Sequence, residues 1–257
     1  MSFTNINGFK IFYEIEGKGE PVFLLHHGFG CAEMWKDIYP CLSEKGYQVV
    51  MYDRRGYGKS ARGDDFTDFY RSDEFRILSM EELEHLRDFL GIESFHIVGQ
   101  CEGGVVGADY SASYPGRVKS LVTASTQCHS PTDMVEFNRT KFAKPFGELD
   151  SHLIEKFMHW HGSHKAEENF NLFRTYGGAY GRRYFDLRPV LKSVKCPALV
   201  MYPDRSALFE IEQAVDFYRS LPMGELAVIP QCGHNTYEQK PGEYIRILLD
   251  FLGCHSS

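Results

Sequence analysis

Phe95-His96-Ile97-Val98-Gly99-Gln100-Cys101-Glu102-Gly103-Gly104-Val105-Val106 decides how this chain is read. A short apolar run, Phe95 to Val98, enters Gly-x-Cys-x-Gly, and a stretch of helical character from Val105 to Tyr114 follows. Strand, Gly-x-nucleophile-x-Gly and helix, in that order, make a nucleophile elbow, a sharp turn that holds one side chain up at the end of a sheet. Glycines two residues before and two after the nucleophile let strand and helix pass closely without side-chain collision. Cysteine stands where such elbows usually carry serine, so the chemistry is that of a thiol. A helix N-terminus behind the sulfur favours thiolate. The plain alternative is a structural cysteine in an ordinary strand-to-helix turn, and the surrounding chain has to decide between the two.

The flanking sequence alternates strands and helices. Phe9 to Ile15, Val22 to Leu25, Tyr47 to Tyr52 and Val118 to Thr123 read as strands. So do Ala198 to Tyr202 and Glu225 to Ile229. Between them, Ser79 to Leu90 reads as an amphipathic helix, with Ser79 and Glu82 as a capping box and Gly91 as the C-terminal stop. Glu210 to Ser220 and Gly242 to Leu252 read as helices near the C-terminus. This rhythm predicts an α/β fold, a mostly parallel central sheet flanked by helices, with ligands at the carboxyl ends of the strands. Residues 127–190 break the rhythm. They are polar with interspersed aromatics, among them Phe142, Phe157, Trp160, Phe170, Phe173 and Tyr180, and too long for a structureless loop. They are expected to form a helical cap inserted into a core made of 1–126 and 191–257.

Bulk composition excludes several classes. A net charge of −7 argues against a nucleic-acid binder, which would show a basic face. No apolar run approaches the ~18 residues that span a bilayer, and Met1 to Gly8 lacks the features of a signal peptide. The seven cysteines include no Cys-x-x-Cys pair, so reduced thiols in a cytoplasmic setting are expected, with no metal site. His159, His161 and His164 cluster without a carboxylate or cysteine to complete a metal set, and read as lid surface or substrate contact. The oligomeric state is left open.

Three motifs fall at the ends of three strands: the cysteine elbow, His27-Gly28-Phe29-Gly30, and Gln231-Cys232-Gly233-His234-Asn235. Together with Asp53-Arg54-Arg55-Gly56-Tyr57-Gly58-Lys59-Ser60, which has the form Asp-x-Arg-Gly-x-Gly-x-Ser, they resemble the α/β-hydrolase superfamily. The likeness runs from about Phe9 to Leu252, to the lid-bearing subgroup of simple esterases and carbon–carbon bond hydrolases. The cysteine elbow is similar to that of the dienelactone hydrolases, although the insertion is not. On this reading His234 is the general base. The oxyanion hole comes from the backbone N–H groups of Glu102 and Phe29. The side chain of Glu102 is read as structural, and Arg54 and Arg55 as ion-pair formers rather than substrate ligands.

The third catalytic position departs from the pattern. Members of the superfamily usually carry Gly-x-x-Asp there. This chain has Pro203-Asp204-Arg205-Ser206, which places Ser206 where the aspartate belongs. The nearest carboxylates are Asp204 and Glu210, and Asp204 is the expected orienting acid. A thiol is acidic enough that a Cys101–His234 ion pair is expected to need little help from it. The resulting expectation is hydrolysis of an ester, lactone or thioester of a small molecule through a Cys101 acyl-enzyme, with no cofactor. Two alternatives stay open: carbon–carbon cleavage of a vinylogous diketone, and a non-catalytic ligand-binding or receptor protein on a hydrolase scaffold.

Overall fold

The computed structural model describes residues 2–256. Eight strands form one sheet: β1 (Ser2–Ile6), β2 (Phe9–Glu16), β3 (Glu20–Leu25), β4 (Tyr47–Tyr52), β5 (Phe95–Gln100), β6 (Val118–Ala124), β7 (Ala198–Pro203) and β8 (Gly224–Ile229). Their order is β1-β2-β4-β3-β5-β6-β7-β8. β1 and β2 run antiparallel to their neighbours, and β4-β3-β5-β6-β7-β8 are parallel throughout. The chain passes from β3 to β4 on one side and then returns to β5 on the other. That reversal opens a crevice at the carboxyl ends of β3 and β5, the place where ligands bind in such sheets. His26-His27-Gly28-Phe29 leaves β3 there, and Cys101 leaves β5.

The apolar runs explain the layering. Val22 to Leu25 and all of β5 are buried, as expected for strands covered on both faces. Alternate residues feed opposite layers. Phe23, Leu25 and Ile97 join one apolar cluster, whereas Val22, Leu24 and Val98 join the other.

Two local readings need correction. Residues 2–8 hold a strand and hairpin turn that the sequence reading passed over. Asn7 and Gly8 both have positive φ (52° and 87°), the Asn-Gly hairpin signature. The helix assigned to Ser79–Leu90 spans Phe75–Phe89, so Ser79 and Glu82 lie within it and form no capping box. Ser79 Oγ bonds the Phe75 carbonyl, and the Glu82 carboxylate instead accepts the Arg55 backbone N–H. Gly91, at φ +66°, does follow the helix end in the left-handed conformation.

Between β6 and β7 lie the helices Met134–Lys141, Ser151–His161, Ser163–Tyr176 and Arg188–Leu191. The two ends of this insertion are pinned together: Leu187 N–H bonds the Cys128 carbonyl, and Ser130 N–H bonds the Phe185 carbonyl. Among the described residues no helix is long and apolar enough to cross a membrane. All seven cysteines are free thiols.

Candidate active site

The elbow is built by close backbone approach. A Cβ on Gly99 would collide with the Gly103 and Gly104 backbone, and one on Gly103 would collide with the Leu25 carbonyl. Both collisions are with backbone, which cannot step aside, so only glycine fits at either position. Cys101 sits between them at φ 51° and ψ −113°. A non-glycine residue held there is strained, and such strain is characteristic of functional turns. Thr126 Oγ1 donates to the Cys101 carbonyl at 3.1 Å, and Cys101 N–H donates to the Ala124 carbonyl at 2.7 Å, so β6 braces the apex.

Cys101 opens onto a cavity of about 270 Å³. His27, Phe29 and His234 line it from the sheet side, and Phe142, Phe157, Trp160 and Phe173 line it from the insertion. Among the described residues on its wall, Lys156 is the one cation; it holds Glu238 at 2.6 and 2.7 Å and lies over the Trp160 ring.

His234 lines the same cavity. Its backbone carbonyl accepts from Gln100 Nε2 at 3.0 Å and from Ser125 Oγ at 2.7 Å, which fixes the loop against the elbow strand. Burial lowers its imidazole to about 4, so the ring is neutral at ordinary pH. Burial likewise pushes the Cys101 thiol up to about 12, despite hydrogen bonds from Tyr180 and the Glu102 backbone. Among the described residues no hydrogen bond joins Cys101 to His234. The expected ion pair is therefore absent: the resting site holds a neutral thiol and a neutral imidazole. The helix end was expected to favour thiolate, but desolvation outweighs it.

Asp204 does not reach His234, and this corrects its assignment as orienting acid. It is exposed, and its Oδ1 accepts the Cys232 backbone N–H at 3.0 Å. Backbone N–H groups of Cys232 and Gln231 hold its carboxyl below the usual value. The side chain beside the imidazole is Ser206, whose Oγ lies 3.3 Å from His234 Nδ1. Asp204→Asn should accordingly leave kcat/KM within about twofold of the parent, as surface changes usually do. A large loss in steady-state turnover would return Asp204 to the site.

The oxyanion loop is also engaged differently from expectation. Phe29 N–H donates to His27 Nδ1 at 3.1 Å rather than facing the cavity. Because Nδ1 accepts, Nε2 carries the ring proton and donates to Tyr237 Oη at 3.2 Å. The Glu102 backbone N–H, by contrast, acts on the Cys101 sulfur and partly offsets the effect of burial on the thiol. His161 pins the loop from the insertion: its Nδ1 accepts the Gly58 N–H at 2.9 Å, so its Nε2–H donates to the Phe29 carbonyl at 2.9 Å. The other two histidines of that cluster face Glu33 and Glu168.

The side chain of Glu102 is structural, as read from the sequence. It forms a fully buried pair with Arg54 at 2.6 Å. Its second oxygen accepts the Ala179 N–H at 2.6 Å, which ties the elbow to the insertion. Arg55 pairs with Asp65 and stacks on Phe9 and Phe69, away from the cavity. Sequence reasoning missed one group. Tyr180, noted only as one of many aromatics, places its Oη 3.4 Å from Cys101 Sγ.

The order of motifs, the sheet and the elbow define an α/β-hydrolase. Residues 21–178 match the alpha/beta hydrolase fold family, and the chain belongs to it. It is 25% identical to a 2-hydroxy-6-oxo-6-phenylhexa-2,4-dienoate hydrolase of Comamonas testosteroni, over 98% of this chain and 94% of that one. A proline iminopeptidase of Lactobacillus delbrueckii subsp. lactis is 27% identical over 90% of each chain. Among solved structures, the enol-lactonase from Burkholderia xenovorans LB400 superposes with a TM-score of 0.79, covering 98% of this chain and 100% of that one at 18% identity.

Proposed function

We propose that this hydrolase cleaves an activated ester, lactone or thioester with an apolar acyl group, through a Cys101 thioester intermediate with His234 as general base. The observation that carries the reading is the strained Cys101 at the floor of an aromatic cavity that His234 also lines. In acylation the thiol proton passes to His234 as sulfur attacks the carbonyl carbon. The oxygen gains charge beside the Glu102 N–H, and the leaving oxygen takes the proton from His234. Water then repeats the attack on the thioester. Thiolates are good leaving groups, so attack on an unactivated amide reverses more readily than it proceeds, and amides are disfavoured.

The relatives span three chemistries, so they do not choose among substrates. The dienoate named for one of them is an anion. Lys156, the one cation among the described residues on this cavity wall, is already paired with Glu238, and carbon–carbon cleavage fits no better than acyl hydrolysis.

The test is to offer the full chain nitrophenyl esters, enol lactones and acyl thioesters of increasing chain length, quench in acid, and map adducts by peptide mass. An acyl group on the Cys101 peptide that forms and decays at competent rates is expected. Turnover without that adduct, or ligand binding without turnover, would overturn the reading.

The acid limb of kcat/KM should fall near pH 4, because His234 must be neutral to act and burial has lowered it to about 4. Activity is then retained as pH drops through the usual histidine range and is lost only below it. A limb near 6.5, read from a pH profile in constant-ionic-strength buffers, would contradict this.

A further inference from the structure

We propose that Tyr180 is a catalytic residue of this site, donating its phenolic hydrogen to the Cys101 sulfur whenever that sulfur carries charge. The proposal rests on the reading of Cys101 as nucleophile. It assigns the sulfur a stabilising partner from outside the sheet.

The contact is direct and enclosed. Tyr180 Oη lies 3.4 Å from Sγ, and both residues are buried. The ring is held edge-on by Phe185, at a centroid distance of 4.9 Å. It also meets Phe209, which in turn packs edge-on against the His234 ring. Either atom of this pair can donate, but a charged sulfur can only accept, so the phenolic hydrogen then lies between them.

The elbow itself sets the position of this hydroxyl. Tyr180 ends a tight turn, Gly178–Tyr180, flanked by Gly177 and Gly181, and all three glycines have positive φ (76°, 57° and 71°). Glu102, the residue after the nucleophile, accepts the N–H of Ala179, the residue before Tyr180. A Cβ on Gly178 would collide with Glu102 Oε1. Arg54 fixes the other carboxylate oxygen. The two reacting-site neighbours, Cys101 and Tyr180, are thus set by adjoining residues bonded to each other, which leaves the Sγ–Oη separation little freedom.

The chemistry explains what such a donor does here. The cavity wall is aromatic, so a charged sulfur finds almost no solvent, and His234 is backed by a hydroxyl rather than a carboxylate. Sulfur carries charge twice. In acylation it loses its proton to His234 as the S–C bond forms. In deacylation the C–S bond breaks with the electron pair going to sulfur, which then recovers its proton from His234. Tyr180 keeps its own proton throughout and contributes a hydrogen bond only. Burial and the neighbouring sulfur hold its phenol well above the ordinary value, consistent with a donor that does not ionise.

The test needs no substrate. The full chain, Tyr180→Phe, and a form with Tyr180 replaced by a fluorotyrosine are treated with iodoacetamide across alkaline pH. Labelling of the Cys101 peptide is read against the six other cysteines. Phenylalanine keeps the ring packing and removes the donor, and a fluorinated phenol is a stronger donor of nearly the same size. Labelling at fixed pH should fall about tenfold or more in Tyr180→Phe, the worth of one hydrogen bond to a charged group, and rise in the fluorotyrosine form. Equal labelling in all three proteins would overturn the proposal. So would faster labelling in Tyr180→Phe, since the phenol would then only shield the sulfur. If the labelling shifts as expected while no ester forms an adduct on Cys101, the donor role stands and the acyl-hydrolase reading fails. The reverse pattern would separate them the other way.

Discussion

His234→Ala should slow acylation of Cys101 by about 10⁴-fold at neutral pH, the upper end of what a general base supplies. The size follows from the resting state. With the thiol pushed up to about 12, only about one molecule in 10⁵ carries thiolate at pH 7. A cysteine enzyme with a preformed ion pair holds its nucleophile ready. On the proposed mechanism this one has to remove the proton during attack, with His234 as the base. The variant should show a second signature, a residual rate that climbs about tenfold per pH unit through the alkaline range as hydroxide takes over the proton. Burst-phase kinetics with a nitrophenyl ester, run from pH 6 to 10, measure both. A variant within tenfold of the parent, with a flat profile, would mean that Cys101 is already ionised or that another base serves it.

The contrast with the sequence reading is instructive because it divides along a physical line. The elbow, the His-Gly loop and the parallel sheet were legible, since they depend on local patterns: apolar runs that end at glycines in fixed order. Gly99 and Gly103 declare themselves because no other residue tolerates the backbone contacts they make. The Gly-x-x-Asp spacing had marked Ser206 as the place that faces the imidazole, and preferring Asp204, the nearest carboxylate two residues away, put residue type ahead of position. What depended on tertiary placement was not legible. Tyr180 stood among many aromatics of the insertion. Its one distinguishing signal was the Gly177-Gly178 pair before it and Gly181 after it, a turn too constrained to be filler. The protonation state was also out of reach, because a helix N-terminus can be read from sequence whereas the depth of burial that overrides it cannot.

Ser206→Asp should raise kcat/KM for an activated ester by about ten- to a hundredfold near pH 8, a fraction of the ~10⁴ that correct histidine tautomer and orientation contribute in serine hydrolases. The reason lies in what serine cannot do. Ser206 Oγ already accepts N–H groups from Leu208 and Phe209, each at 3.2 Å, so its own hydrogen is free to bond His234 Nδ1. In that arrangement the ring proton sits on Nε2, and the nitrogen facing the cavity is no longer a base. Serine can accept from Nδ1–H only by giving up one of those N–H groups, so it does not hold the productive tautomer. A carboxylate accepts only. It would place the proton on Nδ1, leave Nε2 free to take the thiol proton, and inherit the two backbone N–H groups that now hold Oγ. It would also stabilise the imidazolium formed as sulfur attacks, which burial alone penalises. The same charge has a cost at low pH. His234 would rise from about 4 toward the ordinary histidine range, because a neighbouring carboxylate favours the charged ring. The acid limb of kcat/KM should move up with it, so the gain shrinks as pH falls and is lost, or reversed, once the variant's ring is protonated and the parent's is not. Crossing pH profiles for the two proteins, measured on one ester, are the expected result. An unchanged limb and an unchanged rate would mean that residue 206 does not set the state of the base.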